Sequence, residues 1–263
     1  MKLLIKRLLA WCVIILTMPM PGSPLGAAQP GDVRALQVAD AMMEAMGGER
    51  AFHNTRYLRF NFAVEREGRP AVVAEHLWDK HTGRYRVQWA VGNDTTCTVL
   101  FTIKSRTGKA YRNGQEIGGA ELEEVLQKAY ARFINDTYWL LMPYKWRDPG
   151  VRLSYVGEKR EGDITYDVVT LSFEENIGLT PKDRYWGYVN RETHLMEKWE
   201  YVLRGANDPP TPFLWKNWRT YGKIRLSDEK VHPTSGVKIF FPMLAVLGNV
   251  DDRVFNDPNV VMP

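Results

Sequence analysis

The residues able to do chemistry are few and widely spaced. Five histidines stand at His53, His76, His81, His194 and His232. Only His76 and His81 are close, one on each side of Asp79. Two imidazoles and a carboxylate suit zinc. Strand side chains alternate between faces, however. That puts His76 on one side of a strand and leaves Asp79 and His81 at its solvated end. No metal site is expected there. Glu174, Glu175, Glu197 and Glu200 are the carboxylates that could exchange protons. Glu174 and Glu175 diverge by the same alternation. Glu197 shares a face with Leu195 and Trp199, and an inward glutamate in an apolar cavity would have a raised pKa fit for catalysis. The competing and favoured reading pairs it with one of the many arginines. The chain has no G-x-S-x-G elbow, phosphate-cradling loop, G-x-G-x-x-G after a strand, or H-E-x-x-H. No catalytic residue and no cofactor is assigned. Cys97 is the only cysteine after residue 28, so no intramolecular disulfide can form. It opens the alternating run Cys97–Ile103 and is read as a buried structural thiol.

The stronger signal is aromatic. Eight tryptophans follow residue 28. Several strand patterns carry large residues on both faces, which suits a sheet with one face on a helix or cavity and the other partly covered. Trp139 to Trp146 lies outside any clean strand period, and its rings must cover something apolar. Phe133, Tyr138, Trp139, Leu140, Met142 and Trp146, with Trp89, Trp186 and Trp199 from strands, are the candidate ligand-binding residues. Tyr138–Trp146 is expected at the mouth of the cavity.

The elements that must position these rings are legible in outline. Lys2, Lys6 and Arg7 precede the apolar run Leu8–Met18, then Pro19, Pro21, Gly22 and Pro24, then the small residues Gly26, Ala27 and Ala28. That order is a signal peptide over residues 1–28, with export to the periplasm or outside. The whole chain carries 35 Lys+Arg against 31 Asp+Glu, and loss of the leader leaves 32 against 31. No basic patch points to nucleic acid. From Val33 to Met46 the apolar spacing is helical and Gly47-Gly48 ends it. Short alternating strands follow over Tyr57–Glu65, Ala71–Asp79, Arg84–Val91, Cys97–Lys104 and Lys109–Arg112, with Asn113-Gly114 as a tight turn. Residues 119–134 are helical, with a loop-like aromatic segment after them. Six further strands are expected: Val151–Lys159, Ile164–Phe173, Asp183–Asn190, Leu195–Leu203, Trp215–Leu226 and Val237–Leu247. The tail from Asn249 is expected to be irregular and on the surface. Regular short strands argue a sandwich or barrel, not an α/β fold. No linker divides residues 29–263, which read as one domain.

This layout resembles the periplasmic outer-membrane lipoprotein carrier and its relatives. The shared features are a signal peptide, an N-terminal helix, about five strands, a central helix with an apolar segment, and about six more strands. The run Phe133–Trp146 also resembles an uncharacterised family of secreted bacterial proteins with this fold. The resemblance implies a mainly β protein with flanking helices. It would be a LolA-like, incomplete and half-open antiparallel β-barrel of about eleven strands, with a helical lid over a cavity for acyl chains. No catalytic motif carries across. The expected role is to bind and carry a lipid, a lipoprotein acyl chain or another hydrophobic ligand, with transient membrane contact. Two alternatives stay open. One is an enzyme on this scaffold using an inward carboxylate or histidine. The other is a cell-envelope interaction protein that pairs a partner strand with an open sheet edge.

Overall fold

A computed structural model describes residues 32–175 and 182–263. The expected signal peptide and the turn expected at 178–181 lie outside the described residues. In chain order the elements are α1 (Val33–Ala45), α2 (Glu49–Asn54), β1 (Tyr57–Arg66), β2 (Arg69–Asp79), β3 (Arg84–Val91), β4 (Thr95–Thr102), β5 (Thr107–Arg112) and β6 (Gln115–Ile117). Then come α3 (Gly119–Leu141), a 3-10 turn at Met142–Lys145, β7 (Val151–Glu161), β8 (Ile164–Phe173), β9 (Arg184–Asn190) and β10 (Met196–Val202). The last are β11 (Thr211–Tyr221), β12 (Ile224–Val231), β13 (Lys238–Phe240), β14 (Leu244–Leu247) and a 3-10 turn at Asp252–Phe255. The protein is mainly β, and its antiparallel sheet is open, ending at β6 and β7. No described helix is long and apolar enough to cross a membrane.

The chain falls into two compact units. Among the described residues, one comprises 32–46 and those of Ile134–Trp215, the other Gly47–Phe133 and Lys216–Pro263. The chain passes from one to the other after Met46, within α3 and within β11.

In the second unit β1 to β6 form a meander, each strand antiparallel to the next. The β5–β6 turn is Asn113-Gly114, both with positive φ, as a two-residue hairpin requires. The other side of β1 pairs with β13 through Ala63–Glu65 and with β14 through Tyr57–Phe60. Alternation sorts the side chains. Phe60, His76, Trp78, Tyr85, Val87, Val99 and Phe101 share one buried face. Phe133 of α3 packs there, with its ring centre 5.3 Å from Trp78 and 4.9 Å from Tyr85. The opposite face carries Arg59, Glu75, Leu77, Asp79 and Arg86. The tail covers part of it. Arg86 donates to the carbonyls of Val254, Asp257 and Pro258, and Arg59 Nε donates to Pro263 O. Tyr57 and Leu77 pack with Val254, Phe255 and Met262. The tail is irregular, as expected, but three of its apolar side chains are buried.

In the first unit the strand order is β7-β8-β9-β10-β11, with β11 contributing its first residues. Asp32 caps α1 by accepting from the N–H groups of Arg34 and Ala35. Ala35, Val38, Ala39 and Met42 form the buried stripe of α1. The edge strand β7 is guarded. Asp32 donates its N–H to Leu153 O, and its carboxylate accepts from Tyr155 N–H. The register then shifts at Gly157, and the strand ends on Glu158, Lys159, Arg160 and Glu161. A bulge and charges of this kind discourage edge pairing.

Four sequence expectations change. The helix does not stop at 134 but runs to Leu141, and a 3-10 turn carries the aromatic segment on. Asn135, Asp136 and Thr137 are weak helix formers, yet burial of their neighbours Phe133, Ile134, Tyr138 and Trp139 holds the helix across them. Trp215–Leu226 is not one strand but parts of the β11–β12 hairpin, turned at Gly222 with φ 62°. Glu197 does not share a face with Trp199, because the β9–β10 register shifts between Met196 and Lys198. Among the described residues the strands number fourteen, against about eleven expected, as hairpins and short pieces separate.

Candidate ligand-binding faces

The first unit gathers most of the candidate rings. Trp139 of α3 has its ring centre 4.6 Å from Trp199, 5.0 Å from Phe213 and 6.1 Å from Tyr201. Tyr138 lies 5.5 Å from Tyr185 and 6.0 Å from Trp199, and Trp215 lies 5.4 Å from Trp199. The contacts are mostly tilted or edge-to-face, the geometry aromatic quadrupoles favour. Pairing Trp199 with Gly187 and with Phe213 explains why these residues meet on one face. Trp146 follows on the 3-10 turn. Its indole N–H points to the Met142 sulfur at 3.0 Å, and its ring lies on Gly187, where a Cβ would stand 2.3 Å from Cζ2. Glycine at 187 is thus the slot for this indole. Tyr138, Trp139, Leu140, Met142, Trp146 and Trp199 are all 5% exposed or less. They sit beneath the surface, so a ligand reaching them must move α3 or the turn after it.

Trp186 does not join this array. It lies on the opposite face against Tyr166, Val168 and Tyr188, with the Arg184 guanidinium 5.8 Å from its ring centre. Phe133 and Trp89 belong to the second unit. Trp89 is half-buried, with the Arg132 guanidinium 4.9 Å from its ring centre.

The titratable groups sort as follows. His76 is fully buried, stacks on Phe60 at 4.4 Å, and has Nδ1 2.8 Å from the Tyr85 hydroxyl. Asp79 lies on the other face. Burial alone would raise its pKa, but hydrogen bonds from Arg56, Thr82 and Arg84 outweigh that and hold it below the ordinary carboxylate value. The pleat therefore separates His76 from Asp79, and the described residues contain no metal-binding group of three or more. Glu197 faces outward and accepts from Tyr166 Oη at 3.2 Å and Asn190 Nδ2 at 3.0 Å. Burial, then Glu197, pushes Tyr166 up to about 12. Glu174 pairs with Arg152 on the surface. Cys97 is buried, and burial raises its pKa.

Two features escaped sequence reasoning. Lys230 is fully buried, its ammonium donating to Ser227 O at 2.5 Å and lying 4.5 Å from the Phe241 ring centre. Burial pushes its pKa well below the ordinary lysine value. Its even spacing from Ile224 and Leu226, which puts all three on one strand face, was the available signal, hidden because the strand was expected to end at Leu226. The second is a groove of about 500 Å³ on the tail-covered face, lined by Glu75, Arg86, Gln88, Thr98, Asn259 and Met262 among others.

No family model matches the chain, and no curated protein matches it. Among solved structures it is similar to a DUF1329 family protein from Desulfovibrio piger ATCC 29098. There the identity is 11% and the TM-score 0.47, over 84% of this chain and 96% of that one. It is also similar to a LolA superfamily protein from Nitrosomonas europaea, with 11% identity and a TM-score of 0.49 over 86% of this chain and 99% of that one. These are likenesses of fold alone.

Proposed function

We propose that the protein binds and carries a lipid or another hydrophobic ligand on the aromatic faces covered by α3, after export to the periplasm. The observation that carries this reading is the ring array of the first unit. Tyr138, Trp139, Tyr185, Trp199, Tyr201, Phe213 and Trp215 form one apolar surface, seven aromatic rings in mutual contact. Small-molecule sites are mostly apolar and aromatic with a few polar groups. An acyl chain lying where Tyr138 and Trp139 of α3 now pack, against the strand rings Tyr185, Trp199, Tyr201, Phe213 and Trp215, would gain about 0.8 kcal/mol per buried methylene. Pairing with a partner strand is disfavoured at β7 by Asp32, the Gly157 bulge and the terminal charges. Acid–base catalysis through Glu197 is disfavoured by its outward position.

Native mass spectrometry of protein purified from the periplasm tests the reading. A copurified lipid, displaced by a fluorescent fatty-acyl probe that quenches tryptophan emission, is expected. Protein with no adduct and no saturable probe binding would remove the carrier function.

A further inference from the structure

In each unit an indole N–H is buried with no acceptor. Trp199 is 0% exposed in the first unit and Trp78 is 1% exposed in the second, and neither Nε1 has a hydrogen-bond partner. Leaving such a donor unsatisfied carries its full desolvation cost, and native proteins rarely tolerate it without a reason. A phenylalanine would fill much of either site with no polar atom. Polar groups close by are committed elsewhere: the Tyr185 hydroxyl donates to Asp183, the Tyr85 hydroxyl bonds His76, and the Trp146 indole has the Met142 sulfur. Both orphan indoles lie on the faces where α3 packs. Trp199 touches Trp139, and Trp78 touches Phe133.

We infer that the ligand carries hydrogen-bond acceptors on its apolar body, of the acyl-ester or carboxyl kind, and that the indole N–H groups of Trp199 and Trp78 receive them. The inference rests on the lipid-binding reading of these faces and adds the ligand's chemistry to it. A bare hydrocarbon would leave both donors as costly as they are in the free protein. An ester carbonyl within about 3 Å would satisfy one. The indoles then act as specificity-determining residues that select acyl esters or acids over hydrocarbons of equal length.

The probes are methyl myristate and hexadecane, of matched length, each delivered from cyclodextrin to the full chain. The protein carries isotope-labelled indole nitrogens, assigned with Trp78→Phe and Trp199→Phe. Methyl myristate is expected to move the Trp199 or Trp78 indole proton downfield, while hexadecane leaves both in place. Trp199→Phe should weaken the ester about fivefold, the worth of one net hydrogen bond of about 1 kcal/mol, and leave hexadecane within about twofold. If both probes bind equally well and neither indole shifts, the inference fails while the carrier reading stands. If neither probe binds, both fail. Should a variant not fold, the labelled native protein still decides through its indole shifts.

Discussion

At the scale of single residues, the informative positions are those where a charge or thiol is held away from water. Lys230 is the sharpest. Its folded pKa is depressed by burial, so between that value and the unfolded value of about 10.4 the unfolded chain binds the extra proton. Stability must therefore rise with pH across that window. Lys230→Met is expected to leave stability unchanged or raise it by about 1–3 kcal/mol at neutral pH. Its advantage should shrink toward pH 10, as urea titrations at several pH values would show. Asp79 has the opposite sign. Its folded pKa is lowered, so its contribution is present above the unfolded value of about 3.9 and fades as pH falls through the folded one. Asp79→Asn should cost about 1–3 kcal/mol near pH 7 and little in strong acid, read from the same titrations. Cys97 is buried with a raised pKa, so a thiol reagent should label it far more slowly in native protein than in denaturant.

At the scale of elements, alternation was the readable signal, and local irregularity the unreadable one. The β1–β5 meander and the α1 stripe follow from apolar spacing that single residues cannot disguise. The helix over Asn135–Thr137 was hidden because local preference there opposes the helix that burial enforces. The side of Glu197 was hidden because one bulge reverses parity for everything upstream of it. The β11–β12 hairpin turns on Gly222 within an otherwise continuous strand-like run. Of the candidate rings, Tyr138, Trp139 and Trp199 meet in one array. Their burial under α3, and the separate position of Trp186, required the register. Gly187 shows how tightly the ring face is set. Gly187→Ala would drive a methyl into the Trp146 indole and should cost about 1–3 kcal/mol. The same variant should red-shift tryptophan emission by loosening Trp146, and an unchanged spectrum and melting temperature would show that the slot is not needed.

At the scale of the whole molecule, the chain visits each compact unit twice, in alternation. A chain ending at Trp215 contains every residue of the first unit, but leaves the second without β12, β13, β14 and the tail that Arg59 and Arg86 hold. Such a truncated chain is expected to protect amides in β7–β10 from hydrogen exchange while those of β1–β6 exchange freely. Equal protection in both sets would mean that the meander stands alone.

That alternation also sets a timetable for synthesis. The meander leaves the ribosome by Phe133, yet the strands that pair with β1 end at Leu247, and the tail residues bound by Arg59 and Arg86 come later still. At about 5–20 residues per second, the nascent chain spends roughly ten seconds with Tyr57 and Leu77 displayed on an unfinished surface. During that interval a holdase chaperone would find its natural target in the meander, and the need for one should end when the last dozen or so residues arrive.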